Sequence, residues 1–245
     1  MRFSLIITTR HRPTFVFNIL DSINNTTTNK KEVEIHITYD TDDTITAGII
    51  DEIKQKYPEL NTLFHPTERS EWMVRDYVNW TITNFSTGKY IINLNDDVLF
   101  LNKGWDELGW AKLEDYLRDK PDGVVYGNTE DNELAKAKDA AFIAGAFACF
   151  PVISRVAVDA AGGFHAPEFK SWSSDIASYL IFRALDRILD LRNEIILYHF
   201  STHSGRREKD EVFLEMERKN QGGYTADTFV ERDVKRILNY INSFK

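Results

Sequence analysis

The chain has 245 residues and carries 30 Lys and Arg against 38 Asp and Glu, a formal net charge of -8. Hydrophobic residues make up 42% of it, enough for a sizeable core, which excludes a disordered chain. The acidity excludes a global basic field for nucleic acid, and no apolar run has the length expected of a membrane span or a signal-peptide core. Cys149 is the only cysteine, so no internal disulfide forms, and a reducing, cytoplasmic setting is the expectation.

The first half alternates strand and helix. Phe3 to Thr9 is a short apolar run rich in β-formers, broken by Arg10-His11-Arg12-Pro13. Pro13 suits a helix first turn, and Phe15, Ile19, Leu20 and Ile23 follow at helical spacing. Val33, Ile35, Ile37 and Tyr39 alternate with polar residues as a strand does, up to Asp40-Thr41-Asp42-Asp43. Ile49, Ile50, Ile53 and Tyr57 mark a second helix, stopped by Pro58. Leu63-Phe64 is a weak third strand, Trp72 to Ile82 a third helix, and Gly88 to Leu94 a fourth strand running into Asn95-Asp96-Asp97. This order implies βαβ units and a mostly parallel α/β sheet flanked by helices.

The second half is less regular. Trp105 to Leu117 reads as a helix, and Val124 to Tyr126 and Phe142 to Ile153 read as strands. Ser154 caps a short helix ended by Gly162-Gly163. Asp175 to Ile188 is another helix, Glu194 to Phe200 a last strand, and Phe229 to Phe244 a terminal helix. No internal repeat or long linker interrupts the chain, so a single compact domain over 1–245 is expected.

Open parallel sheets bind ligands outside the carboxyl ends of their strands. Three polar clusters follow such strands: Thr8 to Arg12, Asp40 to Asp43, and Asn95-Asp96-Asp97. The last is the sharpest, because adjacent carboxylates between apolar segments repel unless a cation or donors compensate. Oxygen ligands of this kind suit Mg²⁺ or Mn²⁺. The plainer alternative is a turn with solvated acids. The chain has neither G-x-G-x-x-G nor G-x-x-x-x-G-K-[ST], so a Gly-rich loop cradles no phosphate here.

Ser4 to Pro13 resembles the opening strand and loop of family 2-like glycosyltransferases of the GT-A, Rossmann-like fold. Glu34 to Asp43 is similar to their second strand with its acidic nucleotide-binding end, and Tyr90 to Asp97 to the strand carrying the D-x-D metal motif. Ile153-Ser154-Arg155 through Gly162-Gly163-Phe164 resembles the segment before their catalytic carboxylate, and Ser171 to Asp175 the loop and helix start that bear it. The resemblance spans roughly Met1 to Asp210. It implies a 1–100 nucleotide-sugar half, a 101–205 acceptor half and a 206–245 C-terminal helical segment. It departs at Asn95, where the motif usually begins with Asp, and at Ser174, which replaces the common Glu.

By resemblance, Asp97 binds the Mn²⁺ or Mg²⁺ ion and Asp96 faces the ribose or sugar side of the donor. Asp40 and Asp42 touch base and ribose, and Thr8, Thr9, Arg10 and Arg12 line the same pocket. Asp175 is the general base; the plainer reading makes it a helix cap. His203 completes the metal site. His199, four residues earlier, is the rival ligand, although its place in Tyr198-His199-Phe200 favours core packing. Trp172 stacks on a sugar face or only packs, and Gly127 to Asp139 is a candidate donor-closing lid. Cys149, between Ala148 and Phe150, reads as a small buried hydrophobe.

The implied reaction moves a sugar from a nucleoside diphosphate sugar, with UDP the expected nucleotide, to an acceptor hydroxyl with inversion. The acceptor is a saccharide or a modified nucleic acid base. The alternatives are a phage-type enzyme glycosylating a hydroxymethylated base in DNA, through a local patch at Arg206, Arg207, Lys209, Lys235 and Arg236, and a noncatalytic nucleotide-sugar-binding module.

Overall fold

Strand β1 (Phe3–Thr8) lies between β2 (Val33–Asp40) and β4 (Tyr90–Asn95), and all three run parallel. The structure, a computed structural model, describes residues 1–131, 147–171, 174–200, 202, 208–219 and 227–244. β3 (Asn61–Thr67) extends the parallel run beyond β2. On the other side the direction reverses: β8 (Val152–Ser154) pairs antiparallel with β4, and β6 (Tyr126–Asn128) with β8. β9 (Ile188–Asp190) runs parallel to β6, giving the order β3-β2-β1-β4-β8-β6-β9 among the described residues. A smaller sheet joins β5 (Val98–Phe100), β10 (Ile196–His199) and β7 (Glu130–Asp131). The mostly parallel α/β architecture expected from the alternation is present.

The period of two along β1 divides the interior into two cores. Phe3, Leu5 and Ile7 face one side, packed with α1 (Pro13–Thr26) and α5 (Trp105–Leu117) through Ile19, Ile23 and Trp105. Ile6 faces the other, where α6 (Arg155–Ala161), α7 (Ser174–Ala184) and α9 (Asp227–Asn242) bury Ala157, Phe182 and Ile237. Helices on both faces leave the central strands no wet side. No helix among the described residues is long and apolar enough to cross a membrane.

The alternation in β2 has an unusual consequence. Its apolar face, Val33, Ile35 and Ile37, joins the first core. Its polar face, Glu34, His36, Thr38 and Asp40, is buried as well. Glu34 accepts from Ser4 Oγ at 2.6 Å, from Thr87 Oγ1 at 2.9 Å and from Gly88 N at 3.1 Å. Burial pushes its carboxyl up, but His36 first, then Ser4 and Thr87, bring it down to about 2. Thr38 Oγ1 meets Thr81 Oγ1 at 2.7 Å. His36 Nδ1 meets His65 Nε2 at 2.9 Å, and the stripe ends at Asp40 beside the cavity described below.

Several boundaries differ from those read off the sequence. The helix expected at Trp72 to Ile82 opens with a wide π-type turn, Val74–Asn79, before α4 (Trp80–Asn84). Where a second helix was expected there are two short ones, α2 (Thr44–Gly48) and α3 (Ile50–Lys56). Ser154 precedes α6 but makes no side-chain cap; its hydroxyl accepts from Val125 N at 3.1 Å across the sheet. Of the strand expected at Phe142 to Ile153, residues 142–146 lie outside the described residues, and pairing is confined to Val152–Ser154. The helix expected from Asp175 to Ile188 stops at Ala184, because Asp186 turns left-handed at φ 54° and sends Ile188 into β9. A further helix, α8 (Glu211–Lys219), precedes the terminal helix.

Candidate active site

Strand register sets the site. Thr8 at the end of β1 lies opposite Thr38 of β2 and Asn95 of β4. The three polar clusters therefore meet at one edge of the sheet, around a cavity of about 510 Å³. Thr8, Thr9, Arg10 and Arg12 line it from the first loop, Asp40 from the second, and Asp96 and Asp97 from the third. Asp175 joins them from the first turn of α7.

The loop after β1 sends its two arginines to different places. His11 adopts a left-handed backbone at φ 54°, and its N–H donates to Asp43 Oδ2 at 2.8 Å. Arg10 reaches the end of β2, where Nη1 donates to Asp40 Oδ2 at 2.5 Å and to Asp42 Oδ1 at 2.6 Å. Both acids raise the Arg10 guanidinium. Asp42 is exposed and lies outside the cavity lining; its visible role is to hold Arg10. Asp40 also accepts from the Tyr77 hydroxyl, which the π-type turn delivers. Burial and the hydrogen bond to Asp40 push that phenol upward.

Arg12 turns the other way. Its Nη1 donates to Asp96 Oδ1 at 3.2 Å, and its Nε and Nη2 hold Asp210 at 2.8 and 2.7 Å. Asp96 also accepts from Thr9 Oγ1 at 2.8 Å. Burial raises the Asp96 carboxyl, Arg12 opposes that, and neighbouring Asp97 adds to it. Asp97 occupies the turn between β4 and β5, almost fully buried. The antiparallel register of β5 with β10 sets His199 opposite Val98, so His199 Nε2 comes within 3.4 Å of Asp97 Oδ1. His199 also meets the Phe150 ring edge-on, with centroids 4.9 Å apart. His199, the rival ligand for which core packing is the more natural expectation, both packs on Phe150 and lies in the cavity wall beside an acid.

Asp175 Oδ1 accepts from Ile176 N at 2.8 Å at the start of α7. The side chain is half-buried at the cavity wall, and its surroundings raise the carboxyl to about 6. Burial is the main cause and Asp131 adds to it; the Ile176 N–H and the Cys149 thiol oppose it. Cys149 is thus not simply buried packing: it lines the same cavity, and its N–H donates to Asp131 Oδ2 at 2.9 Å. His165, beneath α7, pairs with Ser178 Oγ at 2.8 Å, and burial keeps it neutral, down at about 3.

Trp172 and His203 lie outside the described residues, as do residues 132–139 of the candidate lid. Sequence reasoning missed Tyr77, Arg69, Glu215 and Phe213, all of which line the cavity. Arg69 pairs with Glu215 of α8.

No protein-family model matches the chain, and no curated protein matches it. Solved structures do. TarS 1-349 from S. aureus in complex with UDP aligns with a TM-score of 0.61 at 15% identity, over 100% of this chain and 73% of that one. The mannosyltransferase PcManGT from Pyrobaculum calidifontis, in complex with GDP-Man and Mn²⁺, aligns at 0.60 and 13% identity, over 99% and 74%. GalNAc-T7 with UDP, GalNAc and Mn²⁺ aligns at 0.58 and 12%, over 98% and 57%. The chain has the GT-A fold.

The acid turn of this GT-A fold can be tested as a cation site. Among the described residues, no group of three His, Cys, Asp or Glu side chains is arranged around one point. Asp97 and His199 do converge, with Asp96 adjacent. One or two carboxylates completed by phosphate oxygens and water are what Mg²⁺, and Mn²⁺ with it, commonly take. The residues fit the ion.

Proposed function

We propose that the chain is a glycosyltransferase that moves a sugar from a nucleoside diphosphate sugar to an acceptor hydroxyl. The observation that carries this reading is the meeting of three strand-end clusters and Asp175 around one cavity. Asp40, Tyr77 and Arg10 form its nucleoside end, with uridine the base expected from the resemblance. Asp97, with His199 beside it and with His203 as the resemblance implies, would hold Mn²⁺ or Mg²⁺. The bound ion supplies Lewis-acid stabilisation of the charge that develops on the departing diphosphate.

Asp175 takes the acceptor's proton as the hydroxyl oxygen attacks the anomeric carbon. The bond from that carbon to the diphosphate oxygen breaks, the nucleoside diphosphate leaves with the electron pair, and the configuration inverts. A carboxyl at about 6 is ionised at neutral pH and remains basic enough to accept a proton in the transition state. Burial thus poises Asp175 better than solvent does, because an ordinary aspartate is a weaker base.

The test is a donor panel. Nucleoside diphosphate sugars are incubated with and without Mn²⁺, and release of the nucleoside diphosphate is followed for wild type and Asp97→Asn. Metal-dependent release from one donor, lost in the variant, is the expected result. Metal-dependent binding without release under any acceptor condition points to a binding module. No binding of any donor removes the reading.

A further inference from the structure

Helix α8 contributes Val212, Phe213 and Glu215 to the cavity wall. The acids of this segment hold two of the three arginines that line that wall among the described residues. Asp210, just before α8, takes the Nε and Nη2 edge of Arg12, and Glu215 takes Arg69. A carboxylate and a phosphoryl group offer a guanidinium the same thing, paired oxygens carrying negative charge. Arg12 also touches Asp96, at the turn where a cation and a diphosphate would have to meet.

We propose that Asp210 and Glu215 are a built-in competitor for the anionic donor. They occupy Arg12 and Arg69 in the ligand-free enzyme, and a nucleoside diphosphate displaces them and frees α8 from the cavity wall. This rests on the nucleoside diphosphate reading above.

Two features favour competition over assistance. First, among the described residues the wall already carries Asp40, Asp96, Asp97, Asp175 and Glu215 against Arg10, Arg12 and Arg69. A diphosphate entering beside Asp210 meets like charge unless that acid withdraws. Second, Asp210 is coupled to the helix it precedes. Its Oδ1 accepts from Phe213 N at 2.8 Å, and Phe213 is buried in the wall. An anion that takes Arg12 therefore pulls on the first turn of α8. The observed affinity for donor is the intrinsic one reduced by the fraction of molecules whose arginines are open.

The experiment measures UDP and GDP binding with Mn²⁺ by calorimetry, on wild type, Asp210→Asn, Glu215→Gln and the double variant. Asparagine keeps one oxygen for the Phe213 N–H but loses the charge and the second acceptor that grips Arg12. The double variant is expected to bind nucleoside diphosphate roughly 3- to 10-fold more tightly than wild type. Trypsin cleavage at Lys209 and Arg218 should quicken when nucleotide is added to wild type, and should already be fast in the double variant without it. A merely structural role for these acids predicts the reverse: weaker binding and earlier thermal unfolding. If wild type binds and the double variant binds equally or less tightly, the competition is overturned while the nucleotide reading stands. If none of the four proteins binds either nucleotide, both are overturned.

Discussion

Asp175 is where burial and chemistry make opposite demands, and both can be measured. As the base, its replacement by Asn should leave donor binding intact and lower turnover by about 10²–10⁴-fold. The stability effect runs the other way. Its folded carboxyl sits at about 6, above the ordinary 3.8, so burial favours the protonated form. Well below 3.8, at pH ~3, both folded and unfolded chains hold the proton and the residue costs nothing. As pH rises from 4 to 6 the unfolded chain ionises first, and stability is lost until the folded carboxyl has titrated. Asp175→Asn should therefore melt at the wild-type temperature at pH ~3 and above it at pH 7. The gain is on the order of 2 kcal/mol, allowing for screening at a half-buried group. A variant less stable than wild type at pH 7 would show that the carboxylate is a structural cap. Asp40, Asp96 and Asp97 were legible in the sequence because each follows an apolar strand. His199 was legible only as the rival to His203, because it meets Asp97 through the pairing of β10 with β5, which no local pattern encodes.

At the scale of elements, the start of β1 depends on one close approach. A Cβ on Gly88 would lie 2.5 Å from Ser4 Oγ and 2.6 Å from Ser4 N. The second contact is backbone and cannot swing aside. Gly88 N also donates to Glu34, so displacing it disturbs the hub that satisfies the buried carboxylate. Gly88→Ala should cost about 2–3 kcal/mol in urea unfolding. A loss below about 0.5 kcal/mol would mean that the strands shift freely. Elements with a strong period and clear punctuation were readable: Pro13 opens α1, and α5 spans the expected Trp105–Leu117. The π-type turn was not, since a helix period does not reveal one extra residue per turn, yet that turn delivers Tyr77 to Asp40. The end of α7 was also hidden, because Asp186 takes a left-handed conformation more often announced by glycine.

For the whole molecule, the sheet architecture followed from the order of apolar runs, while the site's charge balance emerged only from the assembled cavity. Asp96 and Asp97 are buried side by side, and part of the upward pressure on Asp96 comes from Asp97. Without a cation, that repulsion opposes folding; with one, it becomes attraction to the ion. Asp97→Asn should therefore cross wild type. In a chelator at pH 7 the variant melts higher, because one of two adjacent buried charges is gone. In Mn²⁺ wild type gains and the variant gains little, since only a ligand that binds the folded chain shifts its melting. Adding a nucleoside diphosphate should raise the wild-type midpoint further, and more with Mn²⁺ than without, because each brings charge the other needs. At ligand concentrations 100 times Kd the added stability is about 2.7 kcal/mol. Differential scanning fluorimetry of the two proteins, with and without Mn²⁺ and nucleotide, reads all of these terms together. Equal wild-type midpoints in chelator and Mn²⁺ would mean that the acid pair binds no cation. The charges on Arg12 and on the Asp96 and Asp97 pair would then have to balance one another without it.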